Sequence, residues 1–592
     1  MKSKWYVYSK KADFQAISER YGIDRVTARV LRNRDICTDE EIRYFLHGNV
    51  QDLYDERLLP DLEQAGYLLW EAIKERKHIR IVGDYDIDGV CATCILLRGL
   101  RSVGAWADHR IPDRINDGYG INEGIVREAL EAGVDVLLTC DNGISAVEEL
   151  RLAKQHGMTV IVTDHHNVRQ EDAGGDVLPP ADAIVDAKRE GSRYPTEDIC
   201  GAVTAWKLIR YIYRLAGLPG DRWLEYIDFA AIATIGDIMP LKGENRIIVR
   251  EGLKVLNGGK VLYTQQPEAG QSVPGVRAGY GTPNPGLRTL IEKLHLDDKQ
   301  IGTYHIGFII GPCINAGGRL ESAESALQLF MTEDAEEAAR LAEHLISLNE
   351  ERKSMTEAGV SEGIRLVEEK YRDDRVLVVF IDGLHESLAG IVAGRLKERY
   401  YRPAIVITRA AEGLKGSGRS IESYNMFENL CAAEELLTRF GGHPMAAGLS
   451  LPEENLEELR RRLNTDTGLT DEDLIRKQWI DVPMPIGYVS ARLIEELDSL
   501  APFGQGFERP LFAQKDLKVS DIRVLGKNRN VLRMRLTEES GITLDGICFG
   551  EADAMWEELK NVKTLDILYS PKINEFGGRR TIQIEIREYR TA

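Results

Sequence analysis

The stretch IRIVGDYDIDGVCATCILLRGLRSVG, residues 79–104, places a strand, an acidic turn and a helix in close succession. The apolar run IRIV has the length of a buried strand, and the apolar positions after Gly89 suit a helix. Between them stand Asp84, Asp86 and Asp88, at alternating positions where their carboxylates repel each other. A solvated turn tolerates such a cluster, whereas a cation site requires one.

The βα rhythm continues beyond this stretch. VDVLLTC (134–140) and MTVIVT (158–163) read as strands, and NEGIVREALEAG (122–133) and SAVEELRLAKQHG (145–157) read as helices. Short continuous apolar runs between amphipathic helices predict a parallel sheet covered on both faces. The first half of the chain is therefore expected to be an α/β domain.

Acids or histidines follow several of these apolar runs. VDVLLTC is followed by Asp141 and MTVIVT by Asp164, His165 and His166, while FAAIATI (229–235), a helix or a strand, ends at Gly236 and Asp237. The carboxyl ends of parallel strands share one edge, so we expect these side chains to meet. Carboxylates with imidazole suit Mn²⁺ or Mg²⁺, and two such ions can hydrolyse a phosphoester.

Composition limits the class of protein. The 592 residues suffice for several domains, and no apolar stretch reaches the roughly 18 residues of a membrane span. The start MKSKWYVYSKKADF has no apolar signal segment and the eight cysteines are scattered, so we expect a cytoplasmic protein without membrane contact. The net charge is −19, yet residues 515–535 carry seven Lys or Arg against two acids, which suits a local polyanion site or a solvated hairpin.

The remaining segments suggest further elements. Residues 256–286 are rich in Gly and Pro and predict a long surface loop, and residues 333–370 predict one or two long polar helices. A second α/β unit follows, with strands DRVLVVFIDG and RPAIVIT around the helix AGIVAGRLKERY. Beyond about residue 480, polar and apolar residues alternate between turns, which predicts an antiparallel barrel.

Four segments in this order, GDYDIDG, DNGIS, TDHH and IGDIMPL, closely resemble the DHH phosphoesterase superfamily. More narrowly, the chain resembles the RecJ family of bacterial single-strand-specific exonucleases. The resemblance continues through INAGGRL (314–320), GSGRS (416–420), RFGGHPMAAG (439–448) and LAPFGQG (500–506). It implies an α/β fold with a parallel-sheet DHH domain, a smaller α/β DHH-associated domain joined by a long helix, and a C-terminal OB-fold β-barrel. The implied boundaries are an N-terminal helical segment at 1–48, the DHH domain at 49–332, the connecting helix at 333–370, the DHH-associated domain at 371–465 and the OB-like domain at 480–592.

The resemblance also implies the roles of individual residues. It assigns ligation of two divalent ions, Mn²⁺ or Mg²⁺, to Asp86, Asp88, Asp141, His165 and Asp237, with Asp141 as the bridge. Val82 stands where many relatives carry a histidine, so the first ion has fewer protein ligands or uses Asp84. His166 is expected to contact the scissile phosphate, which makes it, with Asp141, a catalytic candidate. The candidates for DNA and phosphate contacts are Arg114, Arg319, Ser417, Arg419 and His443.

The activity implied by the resemblance is 5′-to-3′ degradation of single-stranded DNA to mononucleotides in recombination and repair. The implied partners are single-stranded DNA, a helicase and a single-strand binding protein, and the implied state is a monomer. Composition and spacing alone support only metal-dependent phosphoester hydrolysis with a polymer-sized substrate. Two alternatives stay open: a phosphodiesterase for a small substrate, such as an oligoribonucleotide or a cyclic dinucleotide, and a non-catalytic DNA-binding scaffold.

Overall fold

The computed structural model describes residues 3–170, 174–259, 261–264, 277–280, 283–410, 413–465, 467–576 and 578–591. The chain divides into two compact units, one of residues 48–470 and one that combines residues 1–47 with residues 471–592. Within the described part of the chain, every helix is too short or too polar to cross a membrane.

The larger unit contains a five-stranded sheet, which is parallel as the sequence predicted. In spatial order its strands are Trp106–Arg110, His78–Val82, Val136–Cys140, Thr159–Thr163 and Ala183–Val185. The helices of this region are Leu62–Lys74, Ile87–Ser102, Glu123–Glu131, Val147–Gln155 and Gly201–Leu215. Every residue of the central strand Val136–Cys140 is buried, because helices cover both faces of the sheet.

A helical layer follows the sheet in the chain. Its helices are Ile227–Gly236, Gly243–Leu256, Pro285–Lys293, Thr303–His305, Gly311–Leu320 and Glu324–Met331, and the π-helical turn Ile306–Ile310 stands before the fifth. The run FAAIATI is therefore helical. The long loop predicted at 256–286 is wrong in part, because Val261–Thr264 and Arg277–Tyr280 pair as antiparallel strands. Residues 265–276 of that prediction lie outside the described residues.

One helix, Ala335–Lys370, leads to the second sheet. That sheet contains, in spatial order, Leu377–Phe380, Ala404–Arg409, Leu414–Arg419, Ala446–Leu451 and Arg439–His443, with only the first pair parallel. Its helices are Ala389–Tyr400, Met426–Cys431 and Leu456–Thr465. The prediction of a long helix followed by a second, smaller α/β fold is confirmed.

The smaller unit is built on a closed barrel. Its strands, in spatial order, are Val482–Pro483, Phe512–Leu525, Val531–Thr537, Thr543–Phe549, Arg579–Thr591 and Thr564–Phe576, and the second also pairs with the last. The helices Ala491–Ser499 and Ala552–Leu559 belong to this unit. The residue pattern predicted an antiparallel barrel, and most pairs are antiparallel, but Val482–Pro483 with Phe512–Leu525 and Thr543–Phe549 with Arg579–Thr591 are parallel. The closed arrangement is the OB fold that the family resemblance implied.

The N-terminal segment 1–48 is largely helical, as the sequence suggested. It forms helices at Phe14–Tyr21, Arg25–Asn33 and Asp39–His47, but it also contributes the strand Lys4–Val7, which pairs in parallel with Lys477–Ile480. Apolar side chains of this segment, such as Val30 and Phe45, share one buried core with the barrel. The strand was not predicted, because it depends on pairing between distant parts of the chain, which no local pattern records.

Candidate active site

The acidic turn before the helix Ile87–Ser102 is shaped by its own hydrogen bonds. Asp86 caps the helix, and one of its carboxylate oxygens accepts from the backbone N–H groups of Asp88 at 2.9 Å and Gly89 at 3.1 Å. A Cβ at Gly89 would lie 2.5 Å from the carbonyl oxygen of Asp84, so only glycine allows this close approach. The acidic turn therefore depends on the cap that Asp86 provides and on a glycine at position 89.

The amino end of the helix Gly201–Leu215 orients a second carboxylate. The backbone N–H groups of Gly201 and Ala202 donate to the two oxygens of buried Asp88, at 2.7 and 2.8 Å. A helix amino end favours this negative charge. Gly201 also makes room for Asp141, because a Cβ there would lie 2.7 Å from the Cβ of Asp141. One helix end therefore positions two candidate ligands.

Asp141 is held in an unusual backbone conformation. Its φ is 60°, in the left-handed region that residues other than glycine seldom adopt. Its backbone N–H donates to the carbonyl of Thr163 at 3.0 Å, and the side chain of Asn142 donates to the carbonyls of Val82 and Cys140. These bonds tie the turn to the neighbouring strands. Such strain occurs where a side chain must point into a site.

His165 lies among the acids. Its Nε2 is 3.0 Å from Asp141 Oδ1, 3.5 Å from Asp88 Oδ2 and 3.7 Å from Asp237 Oδ2. Burial and the charge of His166 lower the pKa of His165 to about 3, so the imidazole is neutral. Neutral imidazole is the form that binds metal ions.

His166 is oriented by a buried acid that the site predictions did not include. Asp164 accepts from the backbone N–H groups of Ile144 and His165, and its Oδ1 lies 2.8 Å from Nδ1 of His166. Burial favours the neutral acid, but His166 outweighs it and lowers the pKa of Asp164 to about 2. Burial likewise disfavours the imidazolium, yet Asp164 raises the pKa of His166 to about 9. The hydroxyl of Tyr119 lies 3.1 Å from Nε2 of the same ring.

The carboxylates of this edge cannot all ionise without a cation. Burial and neighbouring acids raise the pKa of Asp84 and of Asp237 to about 8 and that of Asp88 to about 6, and they raise the pKa of Asp141 well above its ordinary value. Asp84 Oδ1 and Asp237 Oδ2 are buried without a hydrogen-bond partner. Carboxylate oxygens left unpaired beside a neutral imidazole fit divalent cations.

The ligand atoms fall into three overlapping groups, each within 4.8 Å. They are Asp84, Asp86 and Asp141; Asp88, His165 and Asp237; and Asp141, His165 and His166. Asp141 and His165 each belong to two groups. The carboxylate of Asp141 or the imidazole of His165 can therefore link neighbouring groups. Asp84 groups with Asp86, and its carboxylate oxygen can take the place of the imidazole nitrogen that a histidine at position 82 would supply. The donor set fits two Mn²⁺ or Mg²⁺ ions.

A cluster of arginines lies close to these acids. Burial and the neighbouring charges of Arg114 and Arg419 lower the pKa of Arg319 to about 10, while Asp86 acts in the opposite direction. Arg319 donates to the carbonyl of Ser387 at 3.0 Å, and Arg114 donates to the carbonyl of Gly318 at 3.1 Å. Among the described residues, these hydrogen bonds go to neutral carbonyls, so the positive charges remain available to an anion.

The other predicted phosphate contacts join the same cluster. Arg419 donates to the hydroxyl of Ser417 at 3.1 Å. A Cβ at Gly390 would lie 2.8 Å from Nη2 of Arg419 and 2.9 Å from Oγ of Ser417, so this glycine gives the pair its space. Burial and the charge of Arg419 lower the pKa of His443. A cavity of about 510 Å³ lies beside the cluster, lined in part by Tyr85, Arg114, Ser387, Lys415, Arg439 and Phe440.

One further acid at the sheet edge was not predicted as a site residue. Asp186 follows the strand Ala183–Val185, is fully buried, and has one oxygen without a hydrogen-bond partner. Burial and the charge of Asp164 raise its pKa to about 7. The signal was present, because the apolar run AIV is followed by an acid like the other strands, but three residues are few for a strand. For Gly201 the sequence carries no comparable signal.

Comparison with known proteins adds independent information. Residues 78–234 match the DHH family N-terminal domain, residues 373–466 the DHHA1 domain and residues 480–588 the RecJ OB domain. The chain is 35% identical over 592 residues to the single-stranded-DNA-specific exonuclease RecJ of Bacillus subtilis (strain 168), covering 99% of this chain and 71% of the relative. It is 31% identical to the protein of that name from Escherichia coli (strain K12), with 94% of each chain covered.

Solved structures agree with the sequence relatives. The crystal structure of RecJ in complex with Mn²⁺ from Thermus thermophilus has a TM-score of 0.82 and 28% identity, covering 100% of this chain and 80% of that one. The crystal structure of exonuclease RecJ bound to manganese has a TM-score of 0.57 and 34% identity, covering 70% of this chain and 96% of that one. The chain therefore belongs to the RecJ family of single-stranded-DNA-specific exonucleases.

Proposed function

We propose that this chain is a Mn²⁺- or Mg²⁺-dependent exonuclease that degrades single-stranded DNA from the 5′ end and releases mononucleotides. The observation that carries the proposal is the set of overlapping ligand groups, linked through Asp141 and His165, with an arginine cluster beside it. The acidic edge needs metal cations, and the arginine side chains beside it need an anion. A phosphodiester bound to the metal ions and to the arginines meets both requirements. Membership of the RecJ family supports the choice of single-stranded DNA, and the 5′ polarity rests on the family resemblance.

The side chains divide the work of such a reaction. Two divalent ions would supply Lewis-acid activation of the phosphate and of a water molecule. The residues that would hold these ions are Asp84, Asp86, Asp88, Asp141, His165 and Asp237. His166, kept protonated and oriented by Asp164, would donate to a phosphate oxygen and stabilise its developing charge. Asp141 and His166 are therefore the catalytic residues that we propose.

The arginine cluster would hold the end of the strand. Arg419 and Ser417 can together donate several hydrogen bonds to a terminal phosphate, and Arg319, whose pKa the charge of Arg419 helps to lower, would share it. Arg114 and His443 would contact the same phosphate or the next one. A terminal phosphate fixed at a set distance from the metal ligands would make the product one nucleotide long.

The OB fold would hold the rest of the strand. Four basic side chains of its surface are exposed and form no salt bridge among the described residues: Lys515, Lys518, Lys527 and Arg535. The others of this basic stretch, Arg523, Arg529 and Arg533, pair with Asp521, Asp553 and Asp545. About half of the stretch is thus neutralised within the fold, and the other half remains for a nucleic-acid backbone.

The family resemblance extends the proposal to the setting of the enzyme. We infer a cytoplasmic monomer that acts in recombination and repair beside a helicase and a single-strand binding protein. A scaffold without activity would not need the complete ligand set, and a small-substrate phosphodiesterase would not need a basic barrel. Both alternatives are outcomes of the test below.

The test is release of mononucleotides from a single strand labelled at either end. We expect 5′ label to be lost first with Mn²⁺, and no release with chelator or with Asp141→Ala. The matched control is Asp135→Asn, at the opposite end of the same strand, where the side chain accepts from the backbone of His78. An intact strand that binds in every condition would favour the scaffold, and cleavage of dinucleotides alone would favour a small substrate.

A further inference from the structure

The π-helical turn Ile306–Ile310 and the short helix before it expose two aromatic rings. Tyr304 and Phe308 stack with their centroids 5.1 Å apart and their planes 25° from parallel. Their exposed fractions are 63% and 64%, so most of each ring faces solvent. π-helical turns are rare and often occur at functional sites.

This turn is packed against the elements that carry the metal ligands. A Cβ at Gly307 would lie 3.9 Å from Ile235, two residues before Asp237. A Cβ at Gly311 would lie 3.1 Å from Ile87, which stands between Asp86 and Asp88. The turn therefore packs near the segment that ends at Asp237, and the helix that follows the turn packs against the segment of Asp86 and Asp88.

Further features of the surroundings suit a nucleotide. Ile238, directly after Asp237, has a positive φ of 57° and an exposed fraction of 69%, so the rim of the acidic edge is apolar at this point. The ring of His305 lies 5.9 Å from that of Tyr304, and burial and the charge of Lys299 lower the pKa of His305.

Single exposed apolar side chains are common and need no ligand. A stacked pair with more than half of each ring in water, on a turn that packs near the segment of Asp237, differs from that case. A protein partner would also cover such rings, but it would then obstruct the edge where a polymer has to enter. Continuity with the acidic edge therefore selects the substrate strand as the occupant.

We propose that Tyr304 and Phe308 form a stacking platform for an unpaired base of the strand that is being degraded. The inference rests on the proposed function, because it assumes a single strand at the metal centre. Stacking accepts any base, so the platform would contribute affinity without sequence preference. It would also favour strands whose bases are free, since a base inside a duplex is already stacked on both faces.

The test is a cycle between protein variants and abasic sites. In an Asp141→Ala background, which keeps the strand intact, the Kd for a 5′-phosphorylated 20-mer is measured with one abasic site moved along the strand. We expect an abasic site at one or two positions to weaken binding about 10-fold. Tyr304→Leu with Phe308→Leu should weaken binding of the intact strand by a similar factor and make those positions insensitive to base removal.

Two controls accompany the cycle. Trp106→Leu removes an exposed ring that stacks on His78 at the amino edge of the sheet. Added to the Asp141→Ala background, it should leave the abasic profile of that background unchanged. Tyr304→Phe keeps the ring and should keep the profile, which separates stacking from loss of the hydroxyl. Thermal unfolding of each variant checks the fold.

The platform is overturned if the double variant binds as tightly as its background or keeps the same abasic profile. It is also overturned if no position of the strand is sensitive to base removal. Failure of the exonuclease proposal can be distinguished from failure of the platform. If the exonuclease proposal fails, the protein with all its active-site residues leaves the strand intact in the degradation assay. The abasic cycle measures only binding, so its outcome does not depend on cleavage.

Discussion

Asp237→Asn should stabilise the metal-free protein and destabilise the metal-bound one. Burial and the charges of Asp88 and Asp86 raise the pKa of Asp237 from 3.8 to about 8. At pH 7.5 the whole rise corresponds to roughly 5 kcal/mol of unfavourable free energy in the fold. Protonation of a neighbouring carboxyl relieves part of the same repulsion, and the side chain of Asp237 is 28% exposed. We therefore expect a gain of about 2 kcal/mol in the free energy of unfolding.

The pH dependence of this gain has a definite sign. Because the pKa of Asp237 is raised in the fold, the penalty is absent below the unfolded pKa and grows as the pH rises towards the folded one. The difference between wild type and Asp237→Asn should therefore vanish near pH 4 and reach its maximum near pH 8. Saturating Mn²⁺ should reverse the difference, because the variant loses a ligand.

Urea unfolding at several pH values, with chelator and with Mn²⁺, measures both effects. The fluorescence of Trp206 and Trp223, both buried in the larger unit, reports the transition. Glu148→Gln, an exposed acid of the same unit, is the control and should change stability by less than about 0.5 kcal/mol. A variant that is less stable than wild type in chelator at pH 7.5, or a difference that Mn²⁺ does not alter, would refute this reasoning.

Three further outcomes follow from individual contacts. Gly201→Ala should lower kcat at least 10-fold in a strand-degradation assay, because its Cβ would lie 2.7 Å from that of Asp141 and displace this ligand; unchanged kinetics would contradict this. Lys207→Met should lower the free energy of unfolding in urea by about 3–5 kcal/mol, because Glu244 stays buried without the ammonium group that now lies 2.7 Å away. The double variant Lys207→Met with Glu244→Gln should recover part of this stability. Arg419→Ala should remove any preference for a 5′-phosphate over a 5′-hydroxyl in a comparison of kcat/KM, and a preference that survives would place the phosphate elsewhere.

The acidic edge could be predicted because it depends on topology more than on detail. Parallel strands bring their carboxyl ends together, so an acid after each strand is enough to forecast where Asp84, Asp141 and His165 meet. The strand Trp106–Arg110 was missed because most of its five residues are not aliphatic, as fits an edge strand. The strand Ala183–Val185 was missed because it is short, and Asp186 was missed with it.

Other parts of the site depend on contacts that no local pattern contains. Gly201 matters because it approaches Asp141 from a segment 60 positions away in the chain. Asp164 stood in a recognised motif, yet its role as the partner of His166 required the distance between the two side chains. The strand Lys4–Val7 pairs with Lys477–Ile480, so the N-terminal segment could not be assigned to the smaller unit from its own composition.

The number of Mn²⁺ ions bound per chain tests the central claim most directly. Calorimetric titration of the metal-free protein should give two sites, because the ligand atoms form overlapping groups that share Asp141 and His165. Asp141→Asn should reduce the number to one or none, while Asp135→Asn should leave it at two. A wild-type protein that binds two ions, and an Asp141→Asn variant that binds one or none, are the predicted results. Binding of a single ion, or two ions that persist without the Asp141 carboxylate, would contradict the shared metal centre.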